Sequence, residues 1–380
     1  VLTFGAVSFA YIGLNGASDA VLASNKIFTL VTVLAIYWAA TFIAMKGIGW
    51  VGKISKWGGL IGTIIPAGLL IVLGIIYIAT GGHNYMDMSQ SFIPDLTKFD
   101  NLVLASSIFL FYAGMEMMGV HVMDVNNPSR NYPKAIIIGS LATVCIFVLG
   151  TFALGVIIPA KDINLTQSLL IGFDNFFRYF HIPWAGPVIA VALMLGVLAS
   201  VLTWVAGPSK GIFTVGKAGY LPPFFQKSNS HGVQLNILLV QGGIVTLLSL
   251  LFVVMPSVQS FYQILSQLTI LLYLIMYMLM FAAAITLRYK MKTAQRPFRL
   301  GKGKALMWIL GVTGFCGSLL AFVLSFIPPG QINTGSSTVW YAVLIAGCVI
   351  MVIIPLIIYS LRKPSWRDPS SEFAPFHWES

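Results

Sequence analysis

AIIIGSLATVCIFVLGTFALGVII, from Ala135 to Ile158, contains no charged side chain. At about 1.5 Å of rise per residue, such a run crosses a hydrocarbon core of about 30 Å as a single α-helix. A barrel strand would show alternating stretches of roughly ten residues, whereas this run is continuously apolar. Working outward with the same ruler, ten segments qualify: 2–23, 27–45, 57–80, 102–123, 135–158, 184–208, 233–255, 261–287, 305–327 and 338–361. The sequence therefore predicts an all-α integral membrane protein, with one multi-pass domain over 1–361 and a tail at 362–380. Composition agrees, with 58% hydrophobic and 9% charged residues and a mean hydropathy of +0.89. Soluble domains carry about 25% charged residues, so soluble enzyme folds are set aside.

The formal net charge of +11 raises the question of where the 22 Lys and Arg lie. They fall between the apolar runs, and if the spans alternate in direction, eighteen gather on one side together with the tail. The other side holds only Lys26, Lys98, Lys161 and Arg178. The positive-inside rule then places the tail and the chain start in the cytoplasm. Topology accounts for the basic charge and leaves no surplus for nucleic acid. Cys145, Cys316 and Cys348 each sit in an apolar run with no second Cys or His at ligand spacing, so neither disulfide, metal nor cofactor is expected. The opening Val1-Leu2-Thr3 carries neither a methionine nor a signal-peptide pattern, and a truncated start is expected.

Of the eleven acids, the sequence places only Glu116 well inside a span, in Phe111-Tyr112-Ala113-Gly114-Met115-Glu116-Met117-Met118-Gly119. A carboxylate at mid-membrane costs about 3 kcal/mol even on the gentlest insertion scale, so it must face protein or a watery cavity and find a partner. One reading is a structural acid satisfied by neighbouring helices; the other is a substrate or proton site. Gly114 and Gly119 bracket it, and each glycine costs a helix about 1 kcal/mol relative to alanine. A helix broken there exposes backbone groups, which is tolerated only beside a cavity and is how transporter sites are built. Ser200, Thr203 and Trp204 lie within about one turn near the end of span 184–208. They suit a pocket wall, or else hydroxyls bonded to their own helix with Trp204 as packing. Tyr273 and Tyr277, four apart, share one helix face, where pocket lining and interhelical hydrogen bonding both fit. Lys56, in Ile54-Ser55-Lys56-Trp57, opens the span 57–80 at its cytoplasmic end, a place topology alone explains.

Gly207-Pro208-Ser209-Lys210-Gly211 has the spacing of a nucleophile elbow, which needs a strand before the serine; here a membrane helix precedes it. Nucleotide-binding and metalloprotease signatures are missing, so energy for any transport comes from a gradient or from exchange.

Tyr112-Ala113-Gly114-Met115-Glu116, with His121-Val122 and Asn126-Asn127-Pro128-Ser129-Arg130-Asn131-Tyr132-Pro133 after it, resembles the sixth helix and following loop of the amino acid/polyamine/organocation superfamily. In particular it resembles the bacterial glutamate/gamma-aminobutyrate antiporters of acid resistance. Further matches are Gly196-Val197-Leu198-Ala199, Trp204-Val205-Ala206-Gly207-Pro208-Ser209-Lys210-Gly211, Tyr273 to Tyr277, and Phe326-Ile327-Pro328-Pro329. The resemblance implies twelve helices in two five-helix inverted repeats, a LeuT-like arrangement in which helices one and six are broken around the substrate. The ten spans then correspond to helices three to twelve, with the first two absent from this chain.

By the same resemblance, Tyr112, Gly114, Glu116, Ser200, Trp204, Tyr273 and Tyr277 are expected to contact substrate. Glu116 and Lys56 are the candidates for ion coupling, Lys56 because it resembles a lysine standing where sodium-coupled relatives bind sodium. Ser200 replaces the acid that those antiporters carry one turn before the tryptophan. The tail, with His377 as its one histidine, is shorter than theirs. The expected function is exchange of small amino acids across a bilayer by alternating access, glutamate against gamma-aminobutyrate. A proton-coupled symporter or uniporter, or a non-transporting scaffold or channel, are the alternatives.

Overall fold

The computed structural model describes residues 1–13, 17–86, 95, 97–106, 108–291, 304–328 and 336–369. Asp87, most of the cationic loop at 292–303, the uncharged loop at 329–335 and His377 lie outside the described residues, as does the side chain of His121. Every regular element described is helical. In chain order the α-helices are α1 (Leu2–Ala10), α2 (Ala17–Ser24), α3 (Lys26–Ala44), α4 (Ile48–Gly59), α5 (Ile65–Ala79), α6 (Phe99–Ser106), α7 (Phe109–Tyr112) and α8 (Pro128–Ile157). They continue with α9 (Ser168–Tyr179), α10 (Ala185–Val215), α11 (Leu235–Ser249), α12 (Leu251–Val254), α13 (Val258–Lys290), α14 (Ala305–Leu324) and α15 (Ser337–Ser360). Taken with the π turns that extend them, eight helical stretches among the described residues are long and apolar enough to cross a bilayer.

Two of the expected spans are divided into helices too short to cross a bilayer. The segment 2–23 divides into α1 and α2, interrupted where the sequence reads Gly13-Leu14-Asn15-Gly16, a cluster of turn formers that apolarity alone does not register. The segment 102–123 divides into α6, α7 and a 3₁₀ helix over Met115–Asp124. Two more expected boundaries move. The span drawn at 57–80 begins as α4 at Ile48, so Lys56 lies inside a continuous helix and not at its start. A π turn over Leu60–Ile64 joins α4 to α5. Pro66 explains it: proline has no N–H to donate and its ring crowds the carbonyl four residues back, at Gly62, so the ladder widens by one residue. The span drawn to Pro208 continues as α10 to Val215. The Ser209 hydroxyl, fully buried, donates to the Val205 carbonyl at 2.6 Å and accepts from Gln234 Nε2 at 2.7 Å. Polar side chains of this kind let a membrane helix carry a proline without breaking. They also put Ser209 in mid-helix, with none of the exposure a nucleophile elbow requires.

The chain divides into two compact units. The first comprises Val1–Tyr85, Phe152–Val258 and Ile353–Ser380. Its core is built on α10, whose Val197, Val201, Leu202 and Val205 pack with Tyr37, Ala40 and Ala44 of α3, Val51 of α4 and Leu238 of α11. Glycine sets the closest approach. A Cβ on Gly58 would come within 2.6 Å of Ala199 Cβ, and one on Gly62 would collide with the backbone of Ala192 and Gly196. Small residues let two membrane helices touch backbone to backbone, where van der Waals contact replaces the hydrophobic drive that lipid removes. Behind α15, Gln226 Nε2 donates to the Trp366 carbonyl at 2.6 Å and Lys217 pairs with Asp368 at 3.7 Å, so the start of the tail is tied to the end of α10.

The second unit comprises Met86–Thr151 and Gln259–Val352. Ile270 and Leu274 of α13 pack with Ala321 of α14. Trp340, fully buried on α15, donates its indole N–H to the Phe326 carbonyl at 2.9 Å.

Candidate functional site

Glu116 occupies the first turn of the 3₁₀ helix over Met115–Asp124, directly after the break that separates it from α7. Gly114 makes the break: its φ is 107° and its ψ −6°, a left-handed conformation that costs glycine nothing and any side-chain-bearing residue about 1–2 kcal/mol. Ten residues of 3₁₀ helix are unusual, since its hydrogen bonds are poorly aligned and runs beyond three or four residues are uncommon. The second glycine behaves otherwise. Gly119 continues the 3₁₀ helix, and a Cβ there would come 3.7 Å from the Tyr132 hydroxyl, so it provides room and not a break.

One carboxylate oxygen of Glu116 is held from two directions. Oε2 accepts from the Gly114 amide at 3.1 Å and from the Tyr277 hydroxyl at 2.9 Å. The Gly114 amide is shared, lying also 3.2 Å from the Tyr277 oxygen. The amide freed by the helix break is thus satisfied by the acid two residues on, and α13 is tied to the broken segment through one hydroxyl. The other oxygen, Oε1, is buried and accepts nothing from the described residues. A carboxyl group with one oxygen held by two donors and the other without one has acceptor capacity left for a further donor.

Around this pair, the Tyr273 ring packs at 5.8 Å from Tyr277. Tyr112 lies edge-on to Phe147 of α8, also at 5.8 Å. Met115 Sδ accepts from the Ser140 hydroxyl at 3.0 Å, fixing the start of the 3₁₀ helix against α8. Of the expected site residues, Tyr112, Gly114, Glu116, Tyr273 and Tyr277 all belong to this unit, and Gly114, Glu116 and Tyr277 are in direct contact.

Tyr277→Phe is expected to remove one charge-stabilised hydrogen bond, worth about 1.5–3 kcal/mol, while preserving the ring packing. Substrate affinity should fall roughly tenfold or more in an equilibrium binding titration. Full retention of affinity would show that Gly114 alone holds the carboxylate.

Ser200, Thr203 and Trp204 project from α10 in the first unit. The Thr203 hydroxyl donates to the Ala199 carbonyl at 3.0 Å, the own-helix bond that was the plainer reading. It also meets the Ser55 hydroxyl at 3.0 Å, a contact the sequence reading did not anticipate. Trp204 is 36% exposed. Lys56 is exposed, with its ammonium 5.6 Å from the centre of the Trp57 ring, so its neighbour Ser55 is the residue of this turn that reaches α10. The sequence reading also passed over Asp19, which is 7% exposed although it lies within the segment 2–23.

Many membrane-length helices and a helix interrupted at a half-buried carboxylate are features found in membrane transporters. The sequence matches the family model described as amino acid permease over residues 1–354, and the chain belongs to that family, within the amino acid/polyamine/organocation superfamily. It is 34% identical over 334 residues to an uncharacterized transporter of Legionella pneumophila, covering 88% of this chain and 72% of that protein. It is 30% identical over 388 residues to a glutamate/gamma-aminobutyrate antiporter of Lactococcus lactis subsp. lactis, covering all of this chain and 76% of the relative. A second antiporter of that description, from Lactococcus lactis subsp. cremoris, is 32% identical over 391 residues with the same coverage.

Proposed function

We propose that this protein is an inner-membrane amino acid antiporter that takes up glutamate and releases gamma-aminobutyrate by alternating access, with the tail in the cytoplasm. The open Oε1 of Glu116 carries the reading. Both proposed substrates bear a primary ammonium, and an ammonium brought to Oε1 supplies the donor that this oxygen lacks. Oε2 stays fixed by Gly114 and Tyr277, so the carboxylate is oriented before the substrate arrives and little ordering cost falls on binding. The break at Gly114 gives a hinge at the contact itself, where rocking of neighbouring helices changes access. The antiporter relatives and the resemblance of the motif around Glu116 support the choice of substrates. Uptake of the acid against release of its decarboxylated product removes cytoplasmic protons.

Ser200 and Trp204 are proposed as substrate contacts on the strength of the same resemblance alone. Trp204→Ala is expected to raise the apparent KM for glutamate about tenfold, with the yield of folded protein unchanged; an unchanged KM returns Trp204 to packing. The substrate reading is tested by competition. Unlabelled gamma-aminobutyrate and glutamate should each suppress labelled glutamate uptake, whereas aspartate and putrescine should not. Suppression by putrescine alone would move the substrate to amines without a carboxylate.

A further inference from the structure

The first unit contains a cavity of about 290 Å³ lined by residues of α9, the start of α10 and by Tyr11, Gly13 and Asp19, and it shares no residue with the Glu116 cluster. Its apolar wall is Leu170 and Phe173, exposed 3% and 1%. Its charged groups are Asp19, Asp174 and Arg178, and Tyr11 also lines it, with its hydroxyl donating to Gln167 Oε1 at 2.9 Å. Arg178 is committed to Asp174, with Nε 2.9 Å from Oδ2 across one helical turn. Asp19 is more than nine-tenths buried, and among the described residues it meets neither a cation nor a hydrogen-bond donor. Two carboxylates against one guanidinium leave the cavity one negative charge in excess. Desolvating a carboxylate without a partner is costly, so a site of this kind favours any small cation that can enter.

We propose that this cavity is a second binding site, selective for a small primary ammonium ion on a short aliphatic body, with Asp19 as its counter-charge. The chemistry selects the ligand. A primary ammonium has three donors for Asp19 and Asp174, and the apolar wall formed by Leu170 and Phe173 covers a chain of a few methylenes. The volume lies at the lower edge of the roughly 300–1,000 Å³ typical of ligand sites, which admits a small amine and excludes a peptide. The occupant is either a zwitterionic amino acid paused before transport or a free amine acting as a modulator; the ammonium end is common to both.

The test is calorimetric titration of n-butylamine into the full chain in lipid nanodiscs, a measurement that needs no transport. It is run in the Glu116→Gln background, which removes the proposed acceptor of the other site. Binding should persist there, and adding Asp19→Asn should weaken it at least tenfold. Gly186→Leu guards against a folding artefact. Gly186 lines the cavity and a Cβ there meets nothing within 4 Å, so the longer side chain fills the space without touching charge, and it too should abolish binding. Displacement of n-butylamine by gamma-aminobutyrate would identify the zwitterion as an occupant; displacement by putrescine and not by gamma-aminobutyrate would identify a free amine. The proposal is overturned if Glu116→Gln alone removes all binding, or if Asp19→Asn and Gly186→Leu both leave it unchanged.

Discussion

Glu116→Gln is expected to lower exchange roughly ten- to hundredfold while the protein folds and inserts as before. The amide oxygen of glutamine can still accept from Gly114 and Tyr277, whose donors stand at 3.1 and 2.9 Å, so the local architecture survives. What disappears is the acid that we propose as the acceptor of the substrate ammonium. A hydrogen bond to a charged group contributes about 1.5–3 kcal/mol, and each 1.4 kcal/mol is a factor of about ten. Initial rates of labelled substrate entry, compared at equal reconstituted protein, measure this. Wild-type exchange by the variant would reduce Glu116 to a structural acid that closes a helix break.

Gly62→Val is expected to have the largest effect on stability. The added Cβ would collide with the backbone of Ala192 and Gly196, which no rotamer change relieves, and the β-branched side chain would sit inside the π turn. Overpacking into side chains costs about 1–3 kcal/mol, and a clash with the backbone of α10 should exceed that range. The yield of monodisperse protein in detergent should collapse, whereas Gly59→Val, where a Cβ meets nothing within 4 Å, should be tolerated. Equal yields for the two variants would contradict the close contact of α4 and its π turn with α10.

These two residues also show what the sequence makes legible. Glu116 stands out because a charge inside an apolar run has only a few physical explanations, and Gly114 because glycine in a helix carries a cost that function must repay. That one of the two bracketing glycines breaks the helix and the other does not depends on neighbours: Gly119 faces the Tyr132 hydroxyl, and periodicity contains no such information. Tyr273 and Tyr277 were visible as a shared face, but only geometry shows that it is the Tyr277 hydroxyl that donates to Glu116. Apolarity alone draws the spans at 57–80 and 184–208, and so misses the start of α4 at Ile48 and the passage of α10 through Pro208. At Pro66 a widened ladder takes up the missing bond, and beside Pro208 the Ser209 hydroxyl adds a bond to the Val205 carbonyl. Asp19 was overlooked because it lies at the edge of an expected span, where a charge ordinarily reaches solvent; the interruption after α1 turns that edge into the wall of a cavity.

The central claim is obligatory exchange, and it is tested most directly by labelled glutamate uptake into proteoliposomes loaded with gamma-aminobutyrate or with buffer alone. The account predicts rapid uptake into the loaded vesicles and at most background uptake into the others. Equal uptake into both, driven by an imposed pH gradient, would contradict exchange and make the protein a proton-coupled carrier.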